Sequence, residues 1–103
     1  PLLMFGLGGI YVEVLKDISF RLAPVSRSGA REMIRAIRSY PLLKGVRGES
    51  GVRMQALEDL LLRLSRLAVD FPDITEADLN PVLVDEHRAM VADVRLTLSM
   101  PKM

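Results

Sequence analysis

The sequence predicts an α+β domain, an antiparallel β-sheet with two helices packed on one face. Three observations lead there. Residues 10–14 and 18–22 alternate apolar and polar positions, the period of a strand. Residues 26–40 and 52–69 repeat apolar side chains at three- and four-residue spacing, the period of a helix. Residues 75–96 carry strand periodicity on both sides of a polar turn, as a hairpin does.

Leu2 to Phe5 reads as a short strand, with Gly6, Gly8 and Gly9 marking a bend or bulge. The same glycines also suit a close backbone approach to phosphate, but the Lys and Ser or Thr of a P-loop are missing, as is dinucleotide-fingerprint spacing. Ile10, Val12 and Val14 then share a parity with Ile18, Phe20 and Leu22 across a connection at Leu15-Lys16-Asp17, which predicts a β-hairpin. Glu13 falls on its polar face, diagonal to Arg21. That leaves Glu13 two readings, a nucleotide-facing acid or half of a surface cross-strand pair.

Ala30, Met33, Ile34 and Ile37 form the apolar stripe of a first helix, with Ser26 or Ser28 as N-cap and Pro41 just past its end. Arg27, Arg31, Arg35 and Arg38 line the opposite side and read as a solvated face in preference to a nucleic-acid contact. After a Gly-rich loop, LLKGVRGESG, a second helix runs from about Val52 to Val69 on Met54, Leu57, Leu61, Leu64 and Ala68, and Pro72 stops it.

The closing hairpin carries the most informative residues. Folded about Glu86-His87, it sets Val84 opposite Ala89, Val82 opposite Val91, Asn80 opposite Asp93 and Asp78 opposite Arg95. Those eight share one face; Leu79, Pro81, Leu83, Met90, Ala92, Val94 and Leu96 share the other, which is expected to be the core face. The first face turns from apolar to polar at Asn80 and Asp93. Mg²⁺ takes oxygen ligands, usually only one or two of them from protein, so an amide opposite a carboxylate suits it. The alternative is an ordinary solvent-facing ladder end with an Asp78–Arg95 ion pair. Pro81 removes a ladder donor just where the polar groups begin, making this strand an edge or a bulge.

With 103 residues, no repeat and no linker, residues 1–103 read as one domain. A net charge of +1 offers no field for nucleic acid or an anionic membrane. The absence of cysteine excludes disulfides and thiolate metal sites and fits a reducing, cytoplasmic setting. No apolar run approaches the roughly 18 residues of a membrane helix. The opening PLLMFGLGGIYVEVL places Pro1 inside an apolar run, as in a piece cut from something longer. His87, the one histidine, sits in the turn and reads as a turn residue rather than a nucleophile or base.

At GLGGIYVEVLKDISFRLAP, YPLLKGVRGE, ADLNPVLV and VADVRL the chain resembles the C-terminal part of the ATP-grasp domain of ADP-forming acyl-CoA (acetyl-CoA) synthetases, relatives of succinyl-CoA synthetase and its beta subunit. The resemblance implies an acid-thiol ligase that couples cleavage or formation of an acyl-CoA thioester to ADP/ATP phosphoryl transfer, through a phosphohistidine on another domain. Its cofactors would be Mg²⁺ and ATP or ADP, with CoA a substrate of the parent enzyme. Matched residue by residue, the acid-spacer-Asn-Pro motif falls on Asp78, Leu79, Asn80 and Pro81. Asn80 and Asp93 become the metal ligands, Asp78 the catalytic acid near the phosphotransfer centre, and Glu13 the nucleotide-binding acid; His87 matches no family histidine. The implied partners are the lysine-bearing ATP-grasp lobe and the CoA-binding and phosphohistidine domains, with no nucleic acid and no membrane. The isolated chain is expected to be inactive and to self-associate. Two alternatives accompany this reading, a module of a multidomain protein acetyltransferase and a non-catalytic binding or assembly module.

Overall fold

The computed structural model describes residues 1–99, so the last four residues of the expected 1–103 domain lie outside the described part. β1 (Leu2–Gly6) pairs antiparallel with β2 (Ile18–Leu22), Leu2 opposite Leu22 and Gly6 opposite Ile18. This corrects the expected hairpin of residues 10–14 with 18–22. Gly8 (φ 78) and Gly9 (φ 52) take backbone conformations that side chains disfavour, and they turn the chain into a short helix, α1 (Gly9–Glu13). With β1 already on its ladder, β2 has no need of residues 10–14. Gly6 is required sterically, because an added Cβ would lie 2.8 Å from the Val12 Cγ2 methyl.

α2 (Arg27–Ala36) is capped as expected: the Ser26 Oγ accepts the Gly29 N–H at 3.1 Å. Its stripe of Ala30, Met33 and Ile34, with Ile37 just beyond, is buried and joins Leu3, Leu43, Leu57 and Leu61 in one core. The basic side of α2 is more than a solvated face. Arg27 and Arg31 reach the buried Glu58 carboxylate at 3.1 and 3.2 Å, and Arg27 also reaches Asp59 at 2.6 Å, fastening α2 to the long helix α4 (Met54–Asp70). Pro41 does not merely follow a helix end, as the sequence suggested; it lies in the first turn of α3 (Tyr40–Lys44), where a missing N–H costs nothing. α4 is the expected second helix, so among the described residues four helices form where two were expected.

β3 (Ile74–Leu79) pairs with β6 (Val94–Leu98), and β4 (Val82–Val84) with β5 (Ala89–Val91). The register is the expected one: Asp78 faces Arg95, Val82 faces Val91 and Val84 faces Ala89. The strands form three two-stranded antiparallel ladders instead of one continuous sheet. Pro81 is where the arm divides. Ala92 N–H bonds to the Pro81 carbonyl at 3.0 Å and Asn80 N–H to the Asp93 carbonyl at 3.1 Å. These are consecutive rungs, whereas a regular antiparallel ladder bonds every second one.

The inward-facing parity changes across that break. Val82 and Val84 are half-buried on one side of it, Ala77 and Leu79 on the other. The expected core face is thereby corrected. Leu83, Met90, Val94 and Leu96 are 57, 47, 49 and 50% exposed, while Val84 and Ala89 pack against the core. The hairpin turn docks at the start of α4, where Arg53 N–H donates to the Asp85 carbonyl at 2.8 Å. Among the described residues no helix is long and apolar enough to cross a membrane.

Candidate functional site

The break at Pro81 places Asn80 at the point where two ladders meet, with Asp93 opposite it on the same rung. Asn80 also lies against the Gly8-Gly9 turn. A Cβ built on Gly8 would stand 4.0 Å from the Asn80 Oδ1 atom, so the turn passes the amide with room for little more than a side-chain contact. Gly8 combines φ 78 with ψ −175, a region open essentially to glycine alone. The sequence had left the glycines as a bulge or a phosphate approach, and had not placed them beside Asn80. Nothing in residue spacing links positions 8 and 80; only the fold does.

A groove of about 690 Å³ opens there. Leu60, Leu64 and Leu67 of α4 and residues of β1 form its apolar walls, and Gly8, Gly9, Glu13, Asp78 and Asn80 its polar part. The structure therefore brings three of the four expected site residues, Glu13, Asp78 and Asn80, to one groove. Asp93, opposite Asn80, is exposed and does not line it. Glu13 arrives from a helix and not from the expected strand, and Arg21 is turned to Glu32 at 3.8 Å.

The arm keeps one part of the ordinary ladder-end reading and lacks the other: Asp78, Asn80 and Asp93 are all exposed to solvent. Although Asp78 and Arg95 are directly opposed, no ion pair joins them, and no side-chain hydrogen bond or ion pair among the described residues engages Asp78, Asn80 or Asp93. By contrast, the other carboxylates around the core are satisfied. Arg31 and then Arg27 hold Glu58 below its usual carboxylate range. Asp85 is held down by the N–H groups of His87 and Arg88, which donate to its Oδ1 at 2.8 and 2.9 Å.

The donor set fits Mg²⁺ in a particular way. Among the described residues no group of three or more His, Cys, Asp or Glu is placed to hold a metal, so no cation is caged by protein alone. An amide oxygen and a carboxylate opposed on one rung, both otherwise unengaged and open to solvent, suit a cation that keeps water and phosphate oxygens as its remaining ligands. His87 lies far along the arm in its turn, its side chain 79% exposed and 3.4 Å from Glu86.

Comparison with known proteins identifies relatives of the chain. Residues 1–98 match the family model of the ATP-grasp domain. The chain is 52% identical over 98 residues to the acetate–CoA ligase (ADP-forming) I of Archaeoglobus fulgidus, covering 95% of this chain and 14% of that protein. It is 49% identical to the beta subunit of the acetate–CoA ligase (ADP-forming) I of Pyrococcus furiosus, covering 95% of this chain and 42% of the subunit. A solved structure of the dinucleotide forming acetyl-coenzyme A synthetase 1 of Ca. Korarchaeum cryptofilum superposes with a TM-score of 0.91 at 44% identity, over 95% of this chain and 46% of that one. That structure contains coenzyme A and Mg-AMPPCP, with a phosphohistidine segment pointing towards the nucleotide binding site. The chain thus spans less than half the length of each of these relatives. By its matched span and its fold, the chain belongs to the ATP-grasp domain family, and the relatives named here are ADP-forming acetate–CoA ligases and an acetyl-coenzyme A synthetase.

Proposed function

We propose that this chain is the Mg²⁺- and nucleotide-facing C-terminal portion of the ATP-grasp domain in an ADP-forming acyl-CoA synthetase, an acid-thiol ligase. The observation that carries the reading is the Asn80–Asp93 rung, both side chains unengaged, with Asn80 beside a glycine turn and lining a groove. Mg²⁺ bound there neutralises phosphate charge during phosphoryl transfer between ADP and a phosphohistidine on another domain. Asn80 and Asp93 supply the protein's two oxygens to the metal. Asp78, two residues along the same strand, faces the phosphotransfer centre, and Glu13 approaches the nucleotide from α1. Because Gly8 carries no Cβ, the space in front of the Asn80 Oδ1 atom is left to a phosphate. CoA and the acyl group are handled by the CoA-binding and phosphohistidine domains of the parent, and the second ATP-grasp lobe covers the nucleotide from the other side. A substrate set of ADP, ATP and CoA places the module in the cytoplasm.

The test is made in the complete parent enzyme. Asn80→Ala and Asp93→Ala should each remove most phosphoryl transfer while leaving the melting temperature nearly unchanged, because both side chains are exposed and unbonded. Near wild-type turnover at limiting Mg²⁺ in either variant would defeat the assignment. Asp78→Asn should lower the single-turnover rate and spare ADP affinity; the reverse pattern would make Asp78 a binding residue.

The isolated chain should neither turn over nor bind Mg·ADP tightly. Losing even two charge-assisted contacts from the other lobe, each worth about 1.5 to 3 kcal/mol, weakens binding by at least about two orders of magnitude. It should self-associate as well, through the outer face of β1 and β2. Leu2 with Leu22 and Met4 with Phe20 form two opposed apolar pairs there, 61, 73, 54 and 45% exposed, while Leu3 and Phe5 turn inward. Micromolar Mg·ADP affinity by calorimetry, or a clean monomer by light scattering at high concentration, would each remove the corresponding expectation.

A further inference from the structure

α1 faces a problem that its own side chains do not solve. It carries Glu13 and follows the Gly8-Gly9 turn, so its placement sets what the groove presents beside Asn80, yet it contributes no buried residue to the core. Ile10, Val14 and Leu15 are 64, 69 and 51% exposed. Val12 packs against Gly6, and the rest of the segment relies on polar ties.

Those ties converge on Asp17. Its own N–H donates to the Tyr11 carbonyl at 2.7 Å, closing the segment on itself. Its carboxylate, in a residue only 5% exposed, accepts the Arg38 N–H at 2.6 Å, the Ser39 N–H at 2.8 Å and the Ser39 hydroxyl. These donors stand at the corner between α2 and α3, in a part of the chain anchored by Ile37 and Leu43 in the core. Arg38 adds a second strap, its guanidinium donating to the Leu15 carbonyl at 2.9 Å.

Resting on the functional reading above, we propose that Asp17 is a positioning residue for nucleotide binding: it ties the segment of residues 8–17 to the α2–α3 corner and so holds Gly8, Gly9 and Glu13 in place at Asn80. The sequence offers no hint of this role, since position 17 reads there as part of a hairpin connection. A charged acceptor is needed because three donors meet it in a site with little water, and hydrogen bonds to a charged group are about twice as strong as neutral ones.

The test uses the complete parent enzyme and compares two buried carboxylates. Asp17→Asn keeps the side-chain size but replaces one acceptor with a donor facing other donors. It should raise KM for Mg·ADP by about ten-fold with kcat within about three-fold, and speed amide exchange in residues 8–17. Glu58→Gln is the control: that carboxylate is equally buried and held by two arginines, but it joins only α2 and α4. It should lower Tm without moving KM. An unchanged KM in Asp17→Asn, or the same KM rise in Glu58→Gln, overturns the proposal. If Asp17→Asn does not fold, Ser39→Ala removes a single donor and should still raise KM by about three-fold; no rise overturns the proposal equally. The unaltered enzyme separates this inference from the one beneath it. Absence of Mg²⁺-dependent ADP binding there strikes the functional reading, whereas exchange in residues 8–17 of Asp17→Asn reports on the clamp regardless.

Discussion

The body of the molecule and its C-terminal arm are held by different means. Every buried apolar residue, from Leu3 to Leu61, lies before α4 is half complete; among the described residues of the arm, 74–98, none is fully buried. The arm is kept in place by its ladders, by the docking of its turn on α4 and by the contact of Val84 and Ala89 with the core. The difference assigns separate tasks. The body stores the stability of the fold, and the arm spends little of it in displaying Asp78, Asn80 and Asp93, so the polar groups proposed above for chemistry matter little to folding.

The sharpest way to break that comparison is to truncate one side chain in each region. Met33 has no exposed surface, and Met33→Ala should cost about 2 to 5 kcal/mol through lost burial and the cavity left behind. Leu96 is half exposed in the arm, and Leu96→Ala should stay within about 0.5 to 1 kcal/mol. Urea unfolding of the complete protein measures both. An equal loss would mean that the arm's apolar face is buried by another part of the whole protein, and the division between body and arm would fall.

What the sequence made legible follows the same division. The hairpin register was readable throughout because period-2 alternation and a four-residue turn leave one pairing that keeps Val82, Val84, Ala89 and Val91 together. The stripes of α2 and α4 were readable because helical spacing over ten or more residues is hard to imitate. Ile10, Val12 and Val14 misled because three alternating apolar residues describe a strand and a short exposed helix equally well. The choice lay in Gly8 and Gly9 and in the competing claim of β1 on β2. Which face of the arm meets the core was not legible either, since both faces carry apolar residues and Pro81 reverses the inward parity between Leu79 and Val82. The candidate site shows the same limit. Asn80 and Asp93 were findable by register, whereas their neighbour Gly8 and the clamp at Asp17 depend on long-range contacts that no local pattern records.

A smaller effect tests how the ion cluster at the buried Glu58 behaves in acid. The Glu58 carboxyl is held below its unfolded value near 4.5 by Arg31 and Arg27, so its ionised form stabilises the native state. That contribution is complete above about pH 4.5 and is lost as pH falls from there through the depressed folded value. Glu58→Gln should therefore lose stability at pH 7, by about 1 to 3 kcal/mol, and lose less on further acidification than the unaltered protein does. Parallel stability curves for the two proteins from pH 7 down to pH 3 would show that Glu58 is not a source of the acid response.

The smallest expected effect belongs to the only histidine in the chain. His87 stands in the hairpin turn with its side chain 79% exposed, and its backbone makes the contacts that hold the turn: its N–H donates to Asp85 Oδ1 at 2.8 Å, and its carbonyl accepts from Arg53 at 3.3 Å. His87→Ala keeps both, so stability should change by no more than about 0.5 kcal/mol. Activity of the complete enzyme should stay near wild type, because the imidazole has no buried partner to orient it and lies outside the groove that gathers Gly8, Glu13, Asp78 and Asn80. The measurement is acid-labile phosphate after incubation with ATP. Phosphate on His87 would overturn the assignment and move the chemistry to the turn of the arm. Its absence there, with label on a histidine elsewhere in the enzyme, would leave the arm as the part that holds the nucleotide's metal while the phosphoryl group travels on another domain.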